Sequence, residues 1–211
     1  MKTLVIVGAG PGISLHTAKK FGQQGFRIAL VARREETLAQ YAEELRGENM
    51  EVATFVADAT KGDELKHAME QIKKQFGHID GLLYNAASGT PGKPTTLSVS
   101  DVTRDFEISV GGALSSVQSV LPHMEQGFIL LTGGGLALQP YADYASLSIG
   151  KAGIRNLAYS LHEELQPKGI YVGTLTIKGF VEEGTALSPA HVADAFYKMY
   201  ENQIDIETDI V

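Results

Sequence analysis

Residues 3–14 read TLVIVGAGPGIS. Leu4 to Val7 is an unbroken apolar run that passes straight into a turn holding Gly8, Gly10, Pro11 and Gly12. From His16 to Gln24 the pattern reads as a helix, closed by Gly25. A short apolar strand leading through a glycine turn into a helix is the start of a βα unit. Glycines there let the backbone come close to a pyrophosphate, and the helix N-terminus adds free N–H groups and partial positive charge. The alternative for such a loop is a tight turn with no ligand.

The alternation continues outward from this unit. Arg27–Ala32, Glu51–Ala57, Asp80–Asn85, Gly127–Thr132 and Ile170–Ile177 read as further strands. Glu35–Arg46, Gly62–Phe76, Ser100–Met124, Tyr144–Gln166 and Pro189–Glu201 read as helices, the third and fourth unusually long. Ile204–Val211 reads either as a last edge strand or as a frayed tail. The strands are continuous apolar runs (LVIV, GLLY, FILL), as strands buried on both faces should be. Strands alternating with helices imply an α/β fold: a doubly wound parallel sheet, Rossmann-like, in three α/β/α layers. No linker, low-complexity segment or longer repeat divides residues 1–211, so a single domain is expected.

Composition narrows the function. The 211 residues are 44% hydrophobic and 20% charged, enough to bury a core. A net charge of −7 argues against a protein that coats nucleic acid. With no cysteine, disulfides, thiolate nucleophiles and Cys-based metal sites are excluded. His16, His67, His78, His123, His162 and His191 are scattered and share no metal-ligand spacing, so no metal is expected. The opening apolar run ends too soon for a signal peptide, and no run reaches the ~18 residues of a membrane helix. A cytoplasmic protein with no membrane partner is the expectation.

The glycine spacing discriminates between dinucleotide-binding patterns. In G-x-G-x-x-G, Gly8 and Gly10 fit but the third position is Ile13. In G-x-x-x-G-x-G, Gly8 and Gly12 fit and Ser14 replaces the last glycine. Past the second strand, where an acid would hold a ribose 2′-hydroxyl, the chain carries Ala32, Arg33 and Arg34, with no acid before Glu35. A guanidinium suits a 2′-phosphate, so NADP(H) is favoured over NAD(H). Solvated first-turn positions are the alternative for both arginines.

The second spacing resembles that of the short-chain dehydrogenase/reductase family, over about Thr3 to Gly179. The resemblance implies that Asp58 and Ala59 in VADAT lie beside the adenine, although Asp58 could equally cap a helix. It implies that Asn85, Ala86 and Ala87 in YNAAS stand for the family's N-N-A-G, with Tyr84 at the first Asn. It also implies hydride transfer assisted by an Asn-Ser-Tyr-Lys tetrad. SIGKAGIRNLAYSLHEEL places the lysine at Lys151, where it would hold the nicotinamide ribose. The tyrosine, serine and asparagine positions then hold Leu147, Gly134 and Ser109. TIKGF keeps Gly179 of the family's Pro-Gly. Tyr144, seven residues before Lys151, is the candidate replacement proton donor, a packing tyrosine the alternative. Little chain separates Gly179 from the last helix, so a substrate-covering lid is expected to be short.

Two functions follow as expectations. One is an NADP(H)-dependent oxidoreductase with an atypical site acting on a small carbonyl or alcohol. The other is a non-catalytic NADP(H)-binding sensor or protein-interaction subunit. Family resemblance further implies a homodimer or homotetramer paired through the two long helices.

Overall fold

The computed structural model describes all residues from Met1 to Val211. Seven strands form one sheet: β1 (Thr3–Val7), β2 (Arg27–Ala32), β3 (Val52–Val56), β4 (Gly81–Tyr84), β5 (Gly127–Thr132), β6 (Ile170–Ile177) and β7 (Glu207–Ile210). Their order is β3-β2-β1-β4-β5-β6-β7, and every pairing is parallel. The order reverses between β1 and β4. In an open α/β sheet a ligand crevice lies beyond the C-terminal strand ends at that point.

Alternate strand residues feed two cores. Val5, Val7, Leu82, Ile129 and Leu131 pack with Leu65, Met69, Val117, Ile154 and Leu161. That face is covered by α3 (Gly62–Phe76), α5 (Gly112–Val120) and α6 (Ala145–Leu165). Leu4, Ile6, Leu83 and Leu130 pack with Phe21, Leu38, Leu45, Val192 and Phe196. Those helical residues belong to α1 (Ile13–Gln23), α2 (Glu35–Gly47) and α7 (Pro189–Asn202). The period of two along each strand thus divides the sheet into the expected three layers.

Two elements depart from the sequence reading, and a third is decided between its two alternatives. Helix α1 begins at Ile13, three residues before His16, because carbonyls of the glycine turn already accept from the helix: Leu15 N donates to Gly10 O and His16 N to Gly12 O. The helix expected over Ser100–Met124 is not uniform. It runs as α4 (Val99–Phe106), a π turn (Glu107–Gly111), α5, and a 3₁₀ turn at Leu121–His123 containing Pro122. The Tyr84 hydroxyl donates to the Ile108 carbonyl, and the Ser109 hydroxyl bonds the backbone of Ser88. These side bonds draw the backbone out of the α ladder, one recognised origin of a π turn. The C-terminal segment is a strand, not a tail: β7 pairs with β6 from Thr174↔Glu207 to Ile177↔Ile210. Glu207 anchors it, accepting bonds from Arg155 Nε at 2.8 Å, Tyr159 Oη at 2.9 Å and Thr176 Oγ1 at 2.6 Å.

No helix is long and apolar enough to cross a membrane.

Candidate active site

The C-terminal ends of the strands carry two cavities separated by the glycine turn. The smaller, about 170 Å³, is lined by Gly8, Arg33, Arg34, Asp58, Ala59, Ala86 and Ala87, among others. The larger, about 440 Å³, takes in Ile13, Gly134, Tyr144, Leu147, Lys151 and Gly179. Gly10, Pro11 and Gly12 line neither and form the turn between them. The fold therefore gathers residues from six separate βα junctions onto one edge.

The turn is shaped to leave room. Gly8 has φ +85°, and a Cβ there would meet Ala86 N at 2.4 Å. Only a residue without a Cβ lets the turn approach Ala86 this closely. A Cβ on Gly12 would meet nothing within 4 Å, and one on Gly10 only Gly8 O at 4.0 Å. Gly12 is the N-cap of α1 and supplies no side-chain cap. Leu15 N and His16 N are bonded within the turn, which leaves the Ile13 and Ser14 N–H groups at the start of α1 without a backbone partner, an arrangement that suits an anion.

Beneath the turn, polar bonds tie three strands together. Asn85 Nδ2 donates to Ser14 Oγ at 2.8 Å, and Ser14 Oγ donates to Gly8 O at 2.9 Å. Thr132 Oγ1 donates to Asn85 Oδ1 at 2.9 Å, and Lys151 Nζ donates to Thr132 O at 2.8 Å. Ser14, in place of a glycine, therefore joins the turn to β4 through its hydroxyl. Asn85 supports the site from below and lines neither cavity.

The chain has six arginines. Arg27 bonds the Met1 carbonyl, Arg46 the Val52 carbonyl, Arg104 pairs with Asp101 and Arg155 with Glu207. Arg33 and Arg34 make no such bond; both are exposed on the wall of the smaller cavity. Arg34 is the N-cap of α2, so both precede the helix body. Across from them, Asp58 Oδ1 accepts from Thr60 N and Thr60 Oγ1, each at 2.9 Å. The Thr60 backbone bond holds the Asp58 carboxyl below its ordinary range against the opposing effect of burial, with Arg33 contributing.

The larger cavity is built around Lys151. Leu147 lies one helical turn before it, and Tyr144 is the N-cap of α6. Leu147 presses against Gly89, where a Cβ would stand 2.7 Å from the leucine Cβ. Gly134 adjoins the lysine stem: a Cβ there would lie 3.4 Å from Lys151 Cδ and Cε. Burial pulls the Lys151 ammonium down to about 8 from 10.5. Tyr84, by contrast, turns its side chain into the core, where desolvation pushes its hydroxyl well above the usual phenol range.

Asp105 escaped the sequence reading. It lies on α4, is 1% exposed, and faces the segment after β4 and the start of α6. Its carboxylate accepts from Ser88 Oγ at 2.7 Å, Thr90 N at 2.5 Å and Ser146 Oγ at 2.7 Å. Burial alone would raise this carboxyl. The three donors outweigh burial and hold it at about 2 against 3.8 in the unfolded chain. A depressed folded value gives stability that is present above pH ~4 and lost as the pH falls towards ~2, worth about 2 kcal/mol at neutral pH. Urea unfolding at pH 7 is expected to show Asp105→Asn destabilised by about that amount. At pH 2 the difference should largely vanish, whereas an equal difference at both values would show that the charge is not the cause.

Residues 2–189 match the model of the family described as short chain dehydrogenase. The chain belongs to the short-chain dehydrogenase family. An uncharacterized oxidoreductase of Staphylococcus epidermidis is 29% identical over 207 residues, covering 92% of this chain and 88% of that protein. Among solved structures, a short-chain dehydrogenase from Rhodopseudomonas palustris superposes with a TM-score of 0.89 at 24% identity, covering 100% of this chain and 98% of the other. A metagenomic short-chain oxidoreductase in complex with NADP gives 0.89 at 22% identity, covering 99% and 96%. These likenesses establish a short-chain dehydrogenase fold of oxidoreductase type. They also match the βα architecture read from residues 3–14 onward.

Proposed function

We propose that this short-chain dehydrogenase is an NADP(H)-dependent oxidoreductase, one 211-residue dinucleotide-binding domain acting on a small carbonyl compound or the matching alcohol. The observation that carries the cofactor preference is the pair Arg33 and Arg34, the two unbonded arginines, on a cavity wall where an acid would favour NAD(H). The residues present fit a dinucleotide: the open space above Gly10 and Gly12 takes the pyrophosphate, on the N-terminus of α1. Asp58 and Ala59 would border the adenine, and Ala86 and Ala87 the ribose nearest β4. Ile13 and Gly179 would flank the nicotinamide end, and Lys151 would donate to the ribose hydroxyls there. When bound, NADPH supplies a hydride.

The acid and oxyanion donors of the family are read here as altered, at Leu147 and Gly134, with Ser109 at the asparagine position. Tyr144, whose ring lines the same cavity as Lys151, is the candidate tyrosine for proton delivery. Restoring the usual groups tests this reading. Leu147→Tyr combined with Gly134→Ser is expected to raise kcat/KM for a simple ketone by 10-fold or more. No gain in a folded double variant would count against the altered-site reading.

Exposed Phe106, Leu114 and Ile149 on α4, α5 and α6 support pairing through these helices as a homodimer or homotetramer. The function itself is tested by following NADPH oxidation with a panel of carbonyl compounds. Turnover with NADPH, and far less with NADH, is expected. Absence of turnover across the panel with both cofactors would overturn the enzymatic reading.

A further inference from the structure

Tyr84 ends β4, is 1% exposed and carries its ring into the core beneath the strand ends. Its hydroxyl donates to the Ile108 carbonyl. Ile108 belongs to the π turn and lines the smaller cavity. A core side chain thus reaches a cavity wall through one hydrogen bond.

The hydroxyl is fitted closely at that point. A Cβ on Gly112 would stand 2.3 Å from Tyr84 Oη, 2.9 Å from Ala59 O and 3.2 Å from Ala59 Cβ. Gly112 is buried at the first position of α5, although glycine is a poor helix former. Here it makes room for the tyrosine oxygen. Ala59 stands at the same point and itself lines the smaller cavity. The Tyr84 oxygen therefore lies close behind two walls of that cavity, Ala59 and Ile108.

The surrounding turn is tied down as well. Gly112 N bonds the Glu107 carbonyl five residues back, which is π geometry. In an α ladder the Gly112 N–H would instead go to the Ile108 carbonyl, the group that Tyr84 engages. Ser109 Oγ accepts from Ser88 N at 3.1 Å and donates to Ser88 O at 3.3 Å. Residues 108 and 109 are thereby fastened to residues 84 and 88. Between those two anchors lie Ala86 and Ala87, which line the same cavity from the β4 side.

We infer that Tyr84 is a positioning residue for the adenine end of the dinucleotide, acting by holding Ile108 against the adenine ring. This rests on the reading of the cleft as an NADP(H) site. A flat ring gains contact from a hydrocarbon wall only where the wall stands at van der Waals distance. The place of Ile108 is set by a hydroxyl from another element, and Tyr84 itself lines neither cavity. If that hydroxyl merely satisfied itself in the core, its loss would lower stability and leave the folded protein binding as before.

Tyr84→Phe keeps the ring in the core and removes only the oxygen. Calorimetric titration of the folded protein compares NADPH, adenosine 2′,5′-bisphosphate for the adenine end and reduced nicotinamide mononucleotide for the other end. NADPH and the bisphosphate are each expected to bind about 5–10-fold more weakly to Tyr84→Phe, and the mononucleotide within about 2-fold of the parent chain. Ile108→Ala should show a comparable loss. The double variant should bind no more weakly than Ile108→Ala alone, because the tyrosine acts through the isoleucine. Unchanged bisphosphate affinity, equal losses for the two fragments, or additive losses in the double variant would overturn the inference. The parent chain supplies a second measurement that needs no folded variant. Hydrogen exchange over residues 107–113 should slow at least about 5-fold with saturating bisphosphate and stay unchanged with the mononucleotide. No protection, or equal protection by both, would overturn it. NADPH binding to the parent chain separates the two readings. Its failure would sink the cofactor reading itself, whereas NADPH binding with unchanged bisphosphate affinity in Tyr84→Phe would sink only the role given to Tyr84.

Discussion

Gly8→Ala is expected to weaken NADPH binding severely and to destabilise the fold. Gly8 has φ +85°, where a β-carbon is strained by roughly 1–2 kcal/mol. The added Cβ would also stand 2.4 Å from Ala86 N, 2.7 Å from Ala86 Cα and 2.8 Å from Ala86 Cβ. Two of these atoms are backbone and the third is fixed to it, so no rotamer change relieves the contact. Either the glycine turn or the end of β4 must move. Both carry the bonds of Asn85 and Ser14, so the walls of both cavities shift together. A loss of more than 100-fold in NADPH affinity is expected, with about 2–4 kcal/mol less stability in denaturant unfolding. Gly12→Ala provides the contrast. Its Cβ meets nothing within 4 Å, so stability should fall far less than in Gly8→Ala. The new methyl would enter the space above α1, and NADPH affinity should be what falls most. Wild-type affinity in Gly8→Ala would mean that the turn is not the binding element.

The paired substitution Arg33→Ala and Arg34→Ala is expected to weaken NADPH about 100-fold and to leave NADH within about 3-fold. A hydrogen bond to a charged group contributes about 1.5–3 kcal/mol, and the pair offers two cations to one phosphate. Both side chains are exposed, so the loss should shrink as salt is added. Neither residue bonds elsewhere in the chain, so the double variant should fold as the parent does. Equal weakening of NADPH and NADH would place the arginines on the shared part of the dinucleotide or outside the site altogether.

What could be read in the sequence, and what could not, divides by range. The glycine turn, the apolar strands and the C-terminal ends of α1, α2 and α3 are local signals, and each lies within a residue of where the chain alone places it. Arg33 and Arg34 were legible because a short connection fixes their distance from β2. Asp105 was not: its partners Ser88 and Ser146 lie 17 and 41 residues away, and nothing near it distinguishes it from a solvated helix acid. The π turn was hidden for the same reason. Apolar periodicity over Ser100–Met124 cannot register that Tyr84, from another element, claims the Ile108 carbonyl. Tyr84 itself read as a changed cofactor residue, yet its bulk belongs to the core. The chemistry around Lys151 was half legible. The four-residue step to Leu147 follows from helix geometry, but the apolar rim formed with Leu138 and Phe180 joins three separate loops and helices.

The most direct measurement is a titration of the purified protein with NADPH and, separately, NADH, followed by nicotinamide fluorescence. Saturable NADPH binding at least 10-fold tighter than NADH is expected, in keeping with two free guanidinium groups at the smaller cavity. No binding of either dinucleotide, or tighter binding of NADH, would contradict the NADP(H) site on which the proposed chemistry rests.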